Sequence, residues 1–333
     1  RMAFAGSASG QATLNLQGGT LNIGTTTART LAIGTFDAPS ATVTVDGGNL
    51  NLNANSNIRF NTQANTGAKV ITLNGGAITS YSDNATTANG TGVLDMMQFA
   101  SATASNTFNL NGGTLAISQV LSTGANGTRT FNFNGGTLKA TGTTTAFFNL
   151  GTGGTTTANV RNGGAIIDTN GLDVTIAQAL LHSNIGGDNA IDGGLIKNGA
   201  GTLTLSGTNT FTGNAVVTAG TLSLATNLSL DDTIVLSLAT GTTLDLAFAS
   251  SSDPSSSETI FALVLNGTNV TPGTYTADQL NALSTGVSFT SLDGTATLTV
   301  LSAVPEPGTV ALVSLGLLFG LFAFRRSKTQ TIS

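Results

Sequence analysis

Charged side chains are scarce in this sequence of 333 residues. Only 11 residues are basic and 16 acidic, which is 8% of the chain against roughly 25% in an average globular domain. Cysteine is absent, which excludes disulfides and metal–thiolate sites. A single histidine leaves Ser-His-Asp triads and histidine-rich zinc sites almost without candidates. Residues 1–303 hold 8 basic and 15 acidic side chains, a net charge of about −7 that predicts no nucleic-acid partner.

Glycine and apolar residues are abundant instead, with 43 glycines and 40% hydrophobic residues. Seven Gly-Gly pairs begin at residues 18, 47, 75, 112, 135, 163 and 193, on average about 29 residues apart. Most of them join two stretches of alternating apolar and polar residues, as in LNLQGGTLNI and FNLNGGTLAI. This period is too long for one hairpin and lacks helical spacing, so each period is expected to form one coil of short strands. The sequence thus predicts an all-β protein, a β-solenoid with Leu, Ile, Val and Phe inside.

A polar residue near each Gly-Gly pair is expected to stack with its counterparts about 4.8 Å away in a side-chain ladder. These residues are Asp46, Asn74, Asn111, Asn134, Asn162 and Asp192. Asn-Gly is also a hairpin signal, so a sandwich or barrel built of hairpins is the alternative. The scarcity of charges that would protect open sheet edges counts against it. Residues 93–99, VLDMMQF, lengthen one period and are expected to form an insertion that caps or flanks a coil.

Residues 193–224 carry a longer motif, GGLIKNGAGTLTLSGTNTFTGNAVVTAGTLSL. It resembles the autotransporter-associated β-strand repeat in Lys197, in the Gly-Thr-Leu-x-Leu run from Gly201, in the Asn-Thr-Phe-Thr-Gly run from Asn209, and in Ala-Gly-Thr-Leu from Ala219. The resemblance implies a right-handed parallel β-helix. We predict a solenoid over residues 1–243 and a small β closing module over residues 244–303, which would seal the last coil.

The C-terminus has a different composition. Residues 304–309, VPEPGT, precede fifteen uncharged residues and then Arg325, Arg326, Ser327 and Lys328. Residues 308–324 would form a helix of about 25 Å, the short end of what spans a bilayer, and the cations that follow favour a cytoplasmic C-terminus. A buried helix is the alternative.

The order of these parts resembles the PEP-CTERM sorting tail of Gram-negative exopolysaccharide-forming bacteria, over residues 304–328, with residues 329–333 as a terminal extension. The resemblance implies that Pro305, Glu306 and Pro307 are recognised by an exosortase, a transpeptidase-like membrane enzyme, and that Arg325 and Arg326 stop transfer across the inner membrane. It also implies an inner-membrane precursor that reaches the cell surface or the extracellular space. The first ten residues lack a basic region and an apolar run, so the sequence is expected to begin inside a longer gene product.

Candidates for chemistry are few. Asp231 and Asp232 form the best carboxylate pair, but a turn is their expected setting. His182 is expected to be solvated or capped, and the Gly186-Gly187-Asp188 segment offers one ragged copy of a calcium repeat. Lys139 and Lys197 are expected to face solvent. The threonine clusters, residues 25–27, 143–145 and 155–157, are expected in loops and not as a regular Thr-x-Thr in each coil, which argues against ice binding.

We therefore predict a secreted, surface-sorted structural or adhesive β-helix of the cell envelope or exopolysaccharide matrix, with no catalytic site and no cofactor. Its expected partners are the sorting enzyme, the inner membrane and exopolysaccharide or cell-surface glycans. The alternatives are a β-helical polysaccharide-degrading enzyme that uses Asp231 or Asp232, and a spacer whose binding function lies upstream.

Overall fold

The computed structural model describes residues 2–4, 11–34, 40–60, 67–83, 88–142, 144–248, 257–292 and 294–304. The first strands in chain order are β1 (Met2–Phe4), β2 (Gln11–Leu16), β3 (Thr20–Ile23), β4 (Thr30–Ile33), β5 (Ser40–Val45), β6 (Asn49–Leu52), β7 (Asn57–Phe60), β8 (Gly67–Leu73), β9 (Ala77–Ser80), β10 (Val93–Asp95), β11 (Ala104–Leu110), β12 (Thr114–Ile117), β13 (Gln119–Leu121), β14 (Thr128–Phe133), β15 (Thr137–Ala140), β16 (Thr144–Asn149), β17 (Thr155–Val160), β18 (Ala165–Asp168), β19 (Val174–Ile176) and β20 (Leu180–His182). A short 3-10 helix, Asn53–Asn55, lies between β6 and β7.

The remaining strands are β21 (Leu195–Asn198), β22 (Thr202–Leu205), β23 (Ala215–Val217), β24 (Thr221–Leu224), β25 (Val235–Leu238), β26 (Thr243–Leu246), β27 (Ser257–Ile260), β28 (Ala262–Leu265), β29 (Thr268–Asn269), β30 (Gly273–Thr276), β31 (Ser288–Ser291) and β32 (Thr297–Val300). One α-helix, α1 (Ala277–Leu283), follows β30 and begins with a capping box between Thr276 and Gln279.

Three long sheets form the body. Sheet A has eleven strands in the order β1-β4-β7-β10-β13-β16-β19-β22-β24-β26-β31, and sheet B has seven in the order β2-β5-β8-β11-β14-β17-β20. Sheet C has eleven, β29-β28-β25-β23-β21-β18-β15-β12-β9-β6-β3. Consecutive strands pass from sheet B to C to A and then pair in parallel with the strands of the next coil, as β5 does with β8 and β6 with β9. The predicted parallel β-solenoid is therefore confirmed.

The core is the interior of the coils. Strand alternation directs apolar side chains inward, so that Val43, Ile71, Phe108 and Phe131 stack in one column of sheet B, each at most 1% exposed. The rings of Phe108 and Phe131 stack with centroids 5.0 Å apart, and Phe148 meets Phe131 edge-on at 5.0 Å. Each coil thus fills its lumen with side chains that continue the column of the coil before it.

The corner between sheets B and C carries the expected polar ladder. The side-chain amides of Asn74, Asn111 and Asn134 each donate to the ladder residue of the coil before, at 2.8, 2.9 and 3.3 Å, beginning at Asp46. Beyond Asn134 the ladder ends, because Arg161 occupies the next equivalent position, where its N–H donates to the Phe133 carbonyl.

The prediction that Asn162 and Asp192 continue this ladder is wrong. The Asn162 side chain instead accepts from the backbone N–H of Asn189, and Asp192 is buried beside His182.

The same corner needs glycine at its second position. Gly76 and Gly113 have φ of +71° and +64°, and a Cβ at Gly76 would collide with the carbonyl oxygen of Gly48 in the preceding coil. The repeated Gly-Gly pair therefore serves both the turn and the close approach of stacked backbones.

Two expectations about individual segments are wrong. Residues 93–95 do not form an insertion: they are β10 of sheet A, and Leu94, Met96 and Met97 are buried in the core. Thr155 and Thr157 do not lie in a loop, since both belong to β17 of sheet B. In both segments the strand register of the neighbouring coils overrides the local composition.

The coil becomes shorter after β20. Ala165 pairs with Leu195, 30 residues later, whereas Leu195 pairs with Ala215, only 20 residues later. Among the described residues sheet B has no strand after β20, and the strands that continue the long sheets belong to A and C. A three-sided solenoid thus continues as a two-sided one.

Residues 244–304 combine solenoid strands with a smaller sheet. β28 and β31 extend sheets C and A, while β27, β32 and β30 form sheet D, in which β27 and β32 are parallel and β30 is antiparallel to β32. Helix α1 packs against β30 and β31. The division of the chain at residue 243 stays a prediction.

Candidate functional site

The repeat motif at residues 193–224 is organised around Lys197. Its side chain is fully buried, so the expectation that it faces solvent is wrong. The ammonium donates to Thr169 Oγ1 at 3.2 Å and to the carbonyl oxygens of Asn198, Gly199 and Ala219 at 3.1, 2.6 and 2.9 Å. Burial lowers the pKa of Lys197 to about 8, which leaves it mainly protonated at neutral pH. Lys197 therefore joins backbone turns of neighbouring coils from inside the solenoid.

Two further cations point inward in sheet B. Lys69 and Arg129 are both fully buried, and burial lowers the pKa of Lys69 to about 8. The guanidinium of Arg129 donates to Ser122 Oγ and to the carbonyls of Gly124 and Gly153. Sequence reasoning missed both residues, although each lies at an inward position of the strand alternation.

Asn209, the first residue of the Asn-Thr-Phe-Thr-Gly motif, lies against the last strand of sheet B. It is 3% exposed, and its Oδ1 accepts the backbone N–H of Leu180 at 2.8 Å. Its Nδ2 donates to the Gly207 and Ser229 carbonyls at 3.1 and 2.6 Å, and the N–H of Thr210 donates to the Leu180 carbonyl at 2.9 Å. The motif thus supplies hydrogen-bond partners to the backbone of β20, the last strand of sheet B among the described residues.

The strand β20 also carries the only histidine of the chain. His182 Nδ1 lies 2.9 Å from Asp192 Oδ2, and Thr212 Oγ1 lies 3.2 Å from both of these atoms. The Asp192 side chain is 1% exposed and also accepts the backbone N–H groups of Gly194 and Gly213 at 2.9 Å. His182 is thus capped by the Asp192 carboxylate, which also bonds backbone N–H groups of two neighbouring coils.

A second carboxylate, that of Asp188, lies close to His182 and is paired with Arg161. Arg161 forms a two-point ion pair with Asp188 at 2.8 and 2.9 Å, and the Ser183 hydroxyl donates to the same carboxylate at 2.5 Å. The hydrogen bond from Arg161 lowers the pKa of Asp188. Ser183 and His182 are bonded to different carboxylates, so they do not form the relay of a nucleophilic triad.

The carboxylates Asp231 and Asp232 lie in the expected turn before β25. Asp231 Oδ1 accepts the N–H and the hydroxyl of Thr233 at 3.0 and 2.6 Å. Beside this turn lies Glu258 of β27, which sequence reasoning missed. It is fully buried, its Oε1 accepts the Leu230 N–H at 2.6 Å, and its Oε2 has no partner.

Burial raises the pKa of Glu258 to about 8, so the carboxyl is mainly neutral at pH 7. Its position in Ser-Glu-Thr-Ile, two residues before the buried Ile260, was the available signal that it points inward. Among the residues that the structure describes, no group of three or more His, Asp or Glu side chains could hold a metal ion.

The folded body reaches to the start of the sorting tail. After β32 the N–H groups of Leu301 and Ser302 donate to the carbonyls of Ile260 and Phe261, and Asn269 Nδ2 donates to the Val304 carbonyl at 2.9 Å. A surface pocket of about 300 Å³, lined in part by Asn269, lies on the same side. Residue 304 is thus bonded to the body one position before Pro305.

The predicted sorting residues Pro305, Glu306 and Pro307, the cations Arg325 and Arg326, and the span 308–324 all lie outside the described residues. Within the described ranges no helix has the length and apolar character needed to cross a membrane.

Comparison with known families bears on both motifs. Residues 195–224 match the passenger-associated-transport-repeat, and residues 303–327 match the PEP-CTERM protein-sorting motif. The chain is a secreted, surface-sorted protein of the bacterial cell envelope. The sorting motif implies recognition by an exosortase-type enzyme and a transient membrane anchor. No curated protein and no solved structure matches the chain.

Proposed function

We propose that the protein is a non-catalytic β-solenoid that acts as a structural or adhesive element of the cell surface or of the exopolysaccharide matrix. The observation that carries this proposal is the connection between Val304, bonded to the body through Asn269, and the sorting motif that follows it. This arrangement delivers the solenoid itself to the surface, without a long spacer between body and tail.

The engagement of the reactive side chains supports a non-catalytic role. Ser183 and His182 are hydrogen-bonded to different carboxylates, and Asp231 accepts a hydrogen bond within its own turn. Glu258 is buried away from solvent. A glycoside hydrolase needs two carboxyl groups facing a shared substrate space, which makes a polysaccharide-degrading enzyme the weaker alternative.

The surface chemistry favours polar, uncharged partners. Outward positions of the solenoid are rich in Thr, Asn and Ser, and the body carries few charges. Exopolysaccharide and cell-surface glycans present hydroxyl groups that such side chains can hydrogen-bond. We therefore infer that these polymers are the partners of the surface-displayed protein.

Deletion of residues 304–333 tests the sorting part of the proposal. In a cell that carries the sorting enzyme, we expect the intact chain at the surface and the shortened chain in the medium or the periplasm, because anchor and signal are lost together. Equal surface display of both forms would contradict the role of the tail. Loss of glycan turnover in Asp231→Asn with Asp232→Asn, in a preparation where the intact chain shows turnover, would favour the enzyme instead.

A further inference from the structure

The outer face of sheet B is a regular array of side chains. Six strands, β2, β5, β8, β11, β14 and β17, pair in parallel without a shift in register. Three outward columns run across them. The first is Gln11, Ser40, Ala68, Ser105, Thr128 and Thr155; the second is Thr13, Thr42, Val70, Thr107, Thr130 and Thr157; the third is Asn15, Thr44, Thr72, Asn109, Asn132 and Asn159.

This array, which we call the sheet B outer face, has one kind of chemistry. Of its 18 positions 16 carry a hydroxyl or an amide, none is charged and none is aromatic. The nearest charged positions in register, Asp46 and Arg161, lie at the corner with sheet C. The other two long sheets carry charges on their outer positions, Arg59 and Asp245 in sheet A and the Lys139–Asp168 ion pair in sheet C.

The sequence hides this regularity. Each coil contributes Thr-x-Thr or Thr-x-Asn except one, where Val70 replaces the first threonine. Runs such as Thr155, Thr156 and Thr157 also place a threonine at the intervening inward position, which disguises the alternation. As expected, Thr-x-Thr does not recur in every one of these strands: the regular feature is a column of threonines, interrupted at Val70, beside a column of Asn and Thr.

The array is held rigidly. The third column is a hydrogen-bonded ladder in which Asn159 donates to Asn132 at 2.8 Å, Asn132 to Asn109 at 2.7 Å, and Asn109 to Thr72 at 3.2 Å. The threonines of the second column are β-branched, which restricts their side-chain rotamers. Little conformational entropy is thus left to lose when a ligand binds.

The hydroxyls of the second column are free to bond a ligand. Within the described part of the chain, the hydroxyls of Thr42, Thr107, Thr130 and Thr157 have no protein hydrogen-bond partner. Those of Thr107, Thr130 and Thr157 lie on neighbouring strands at a spacing of about 4.8 Å, and Val70 separates them from Thr42, on a face of roughly 24 by 13 Å.

This spacing is close to that of frozen water. In a tetrahedral water lattice with O···O contacts of about 2.75 Å, next-nearest oxygens are about 4.5 Å apart. A rigid, uncharged row of hydroxyl and methyl groups at about 4.8 Å can order a water layer that continues into that lattice. The face offers no aromatic ring to stack on a sugar, and no charge that would hold water in a different arrangement.

We propose that the sheet B outer face binds ice. This activity is independent of the matrix role proposed above, and it would bring a surface-sorted solenoid and its cell into contact with an ice crystal.

The test is incorporation into slowly grown ice, measured on the full chain in detergent with an inert soluble protein as internal reference. The disrupting variant is Thr107→Lys with Thr130→Lys, which places two charges on neighbouring strands of the face. The matched control is Thr114→Lys with Thr137→Lys, a paired couple on the outer side of sheet C in the same two coils. Circular dichroism establishes that each variant is folded.

We expect the intact chain and the sheet C variant to be enriched in ice above the reference protein, and the sheet B variant to fall to the reference level. Should the lysine variant not fold, Thr107→Val with Thr130→Val removes the hydroxyls at nearly constant shape and should lower the enrichment. An intact chain without enrichment, or an equal loss in both lysine variants, would overturn the proposal. So would retention on insoluble cellulose that depends on the sheet B face while ice enrichment is absent.

Discussion

Replacing Asn209 by alanine should destabilise the coils at the end of sheet B. The change removes the acceptor of the Leu180 N–H and the donor to the Ser229 carbonyl, both of which are buried contacts. A buried polar group that loses its partner costs about 1–3 kcal/mol. Two such groups predict a loss of about 2–6 kcal/mol in the free energy of unfolding, measured by urea titration of the full chain.

The matched control is Asn214→Ala, five residues along the chain. Asn214 is exposed, so its replacement should change the unfolding free energy by less than about 0.5 kcal/mol. Hydrogen exchange gives a local readout, because the Leu180 amide should lose protection in Asn209→Ala alone. A loss below about 1 kcal/mol together with unchanged exchange at Leu180 would refute the assignment of Asn209 as the group that closes the edge of sheet B.

Three more substitutions probe the interior. Lys197→Met removes the ammonium donor of the part-buried Gly199 and Ala219 carbonyls, while the Asn198 carbonyl keeps the Thr169 N–H, and should cost about 2 kcal/mol in urea titration. Phe131→Ala opens a cavity between stacked rings and should cost about 3–5 kcal/mol by the same assay. Folding raises the pKa of Glu258 from 4.5 to about 8, so the stability should fall as the pH rises through this range, by up to about 5 kcal/mol. Urea titrations at pH 5 and about pH 7.5, below the lowered pKa of Lys69 and Lys197, should show most of this fall in the intact chain and a much smaller one in Glu258→Gln.

The architecture was predictable because a solenoid repeats its constraints in every coil. Alternation, the Gly-Gly pair and the preceding Asn recur at a nearly constant period, so seven weak signals support one another. The ladder from Asp46 to Asn134 was predictable for the same reason. The prediction that the ladder continues at Asn162 is wrong because a one-residue offset places Arg161 in register. An average spacing does not detect such an offset.

The shortening of the coil was not predictable from the period. The Gly-Gly pairs stop at Gly193, but nothing in that loss indicates which side of the solenoid ends. The side is determined by Asn209 and Thr210, which bond the backbone of Leu180 some thirty residues earlier. Contacts between residues about thirty positions apart depend on how successive coils align. That alignment is visible only in the folded structure.

The inward positions of Lys197 and Glu258 were predictable in principle, although the expectation for Lys197 was wrong and Glu258 was missed. Lys197 follows the buried Leu195 by two residues, and Glu258 precedes the buried Ile260 by two, so alternation places both inside. The general preference of charged residues for the surface favoured the opposite assignment for Lys197. In a solenoid the alternation is the stronger guide, because reversing one side chain would require a bulge that disturbs the register of its neighbours.

The scarcity of charge in this chain therefore has a structural explanation. A solenoid leaves backbone carbonyls without strand partners at its corners, and a buried carbonyl needs a donor. Lys69, Arg129 and Lys197 supply such donors to backbone carbonyls from inside the coils, while Lys139 and Arg161 are held in ion pairs. Four of these five, Arg129, Lys139, Arg161 and Lys197, thus bond across neighbouring coils, while Lys69 donates to Gly67 of its own strand. The outer face of sheet B, whose amides bond one another in a ladder, needs none, and its freedom from charge is the property that an uncharged crystalline ligand requires.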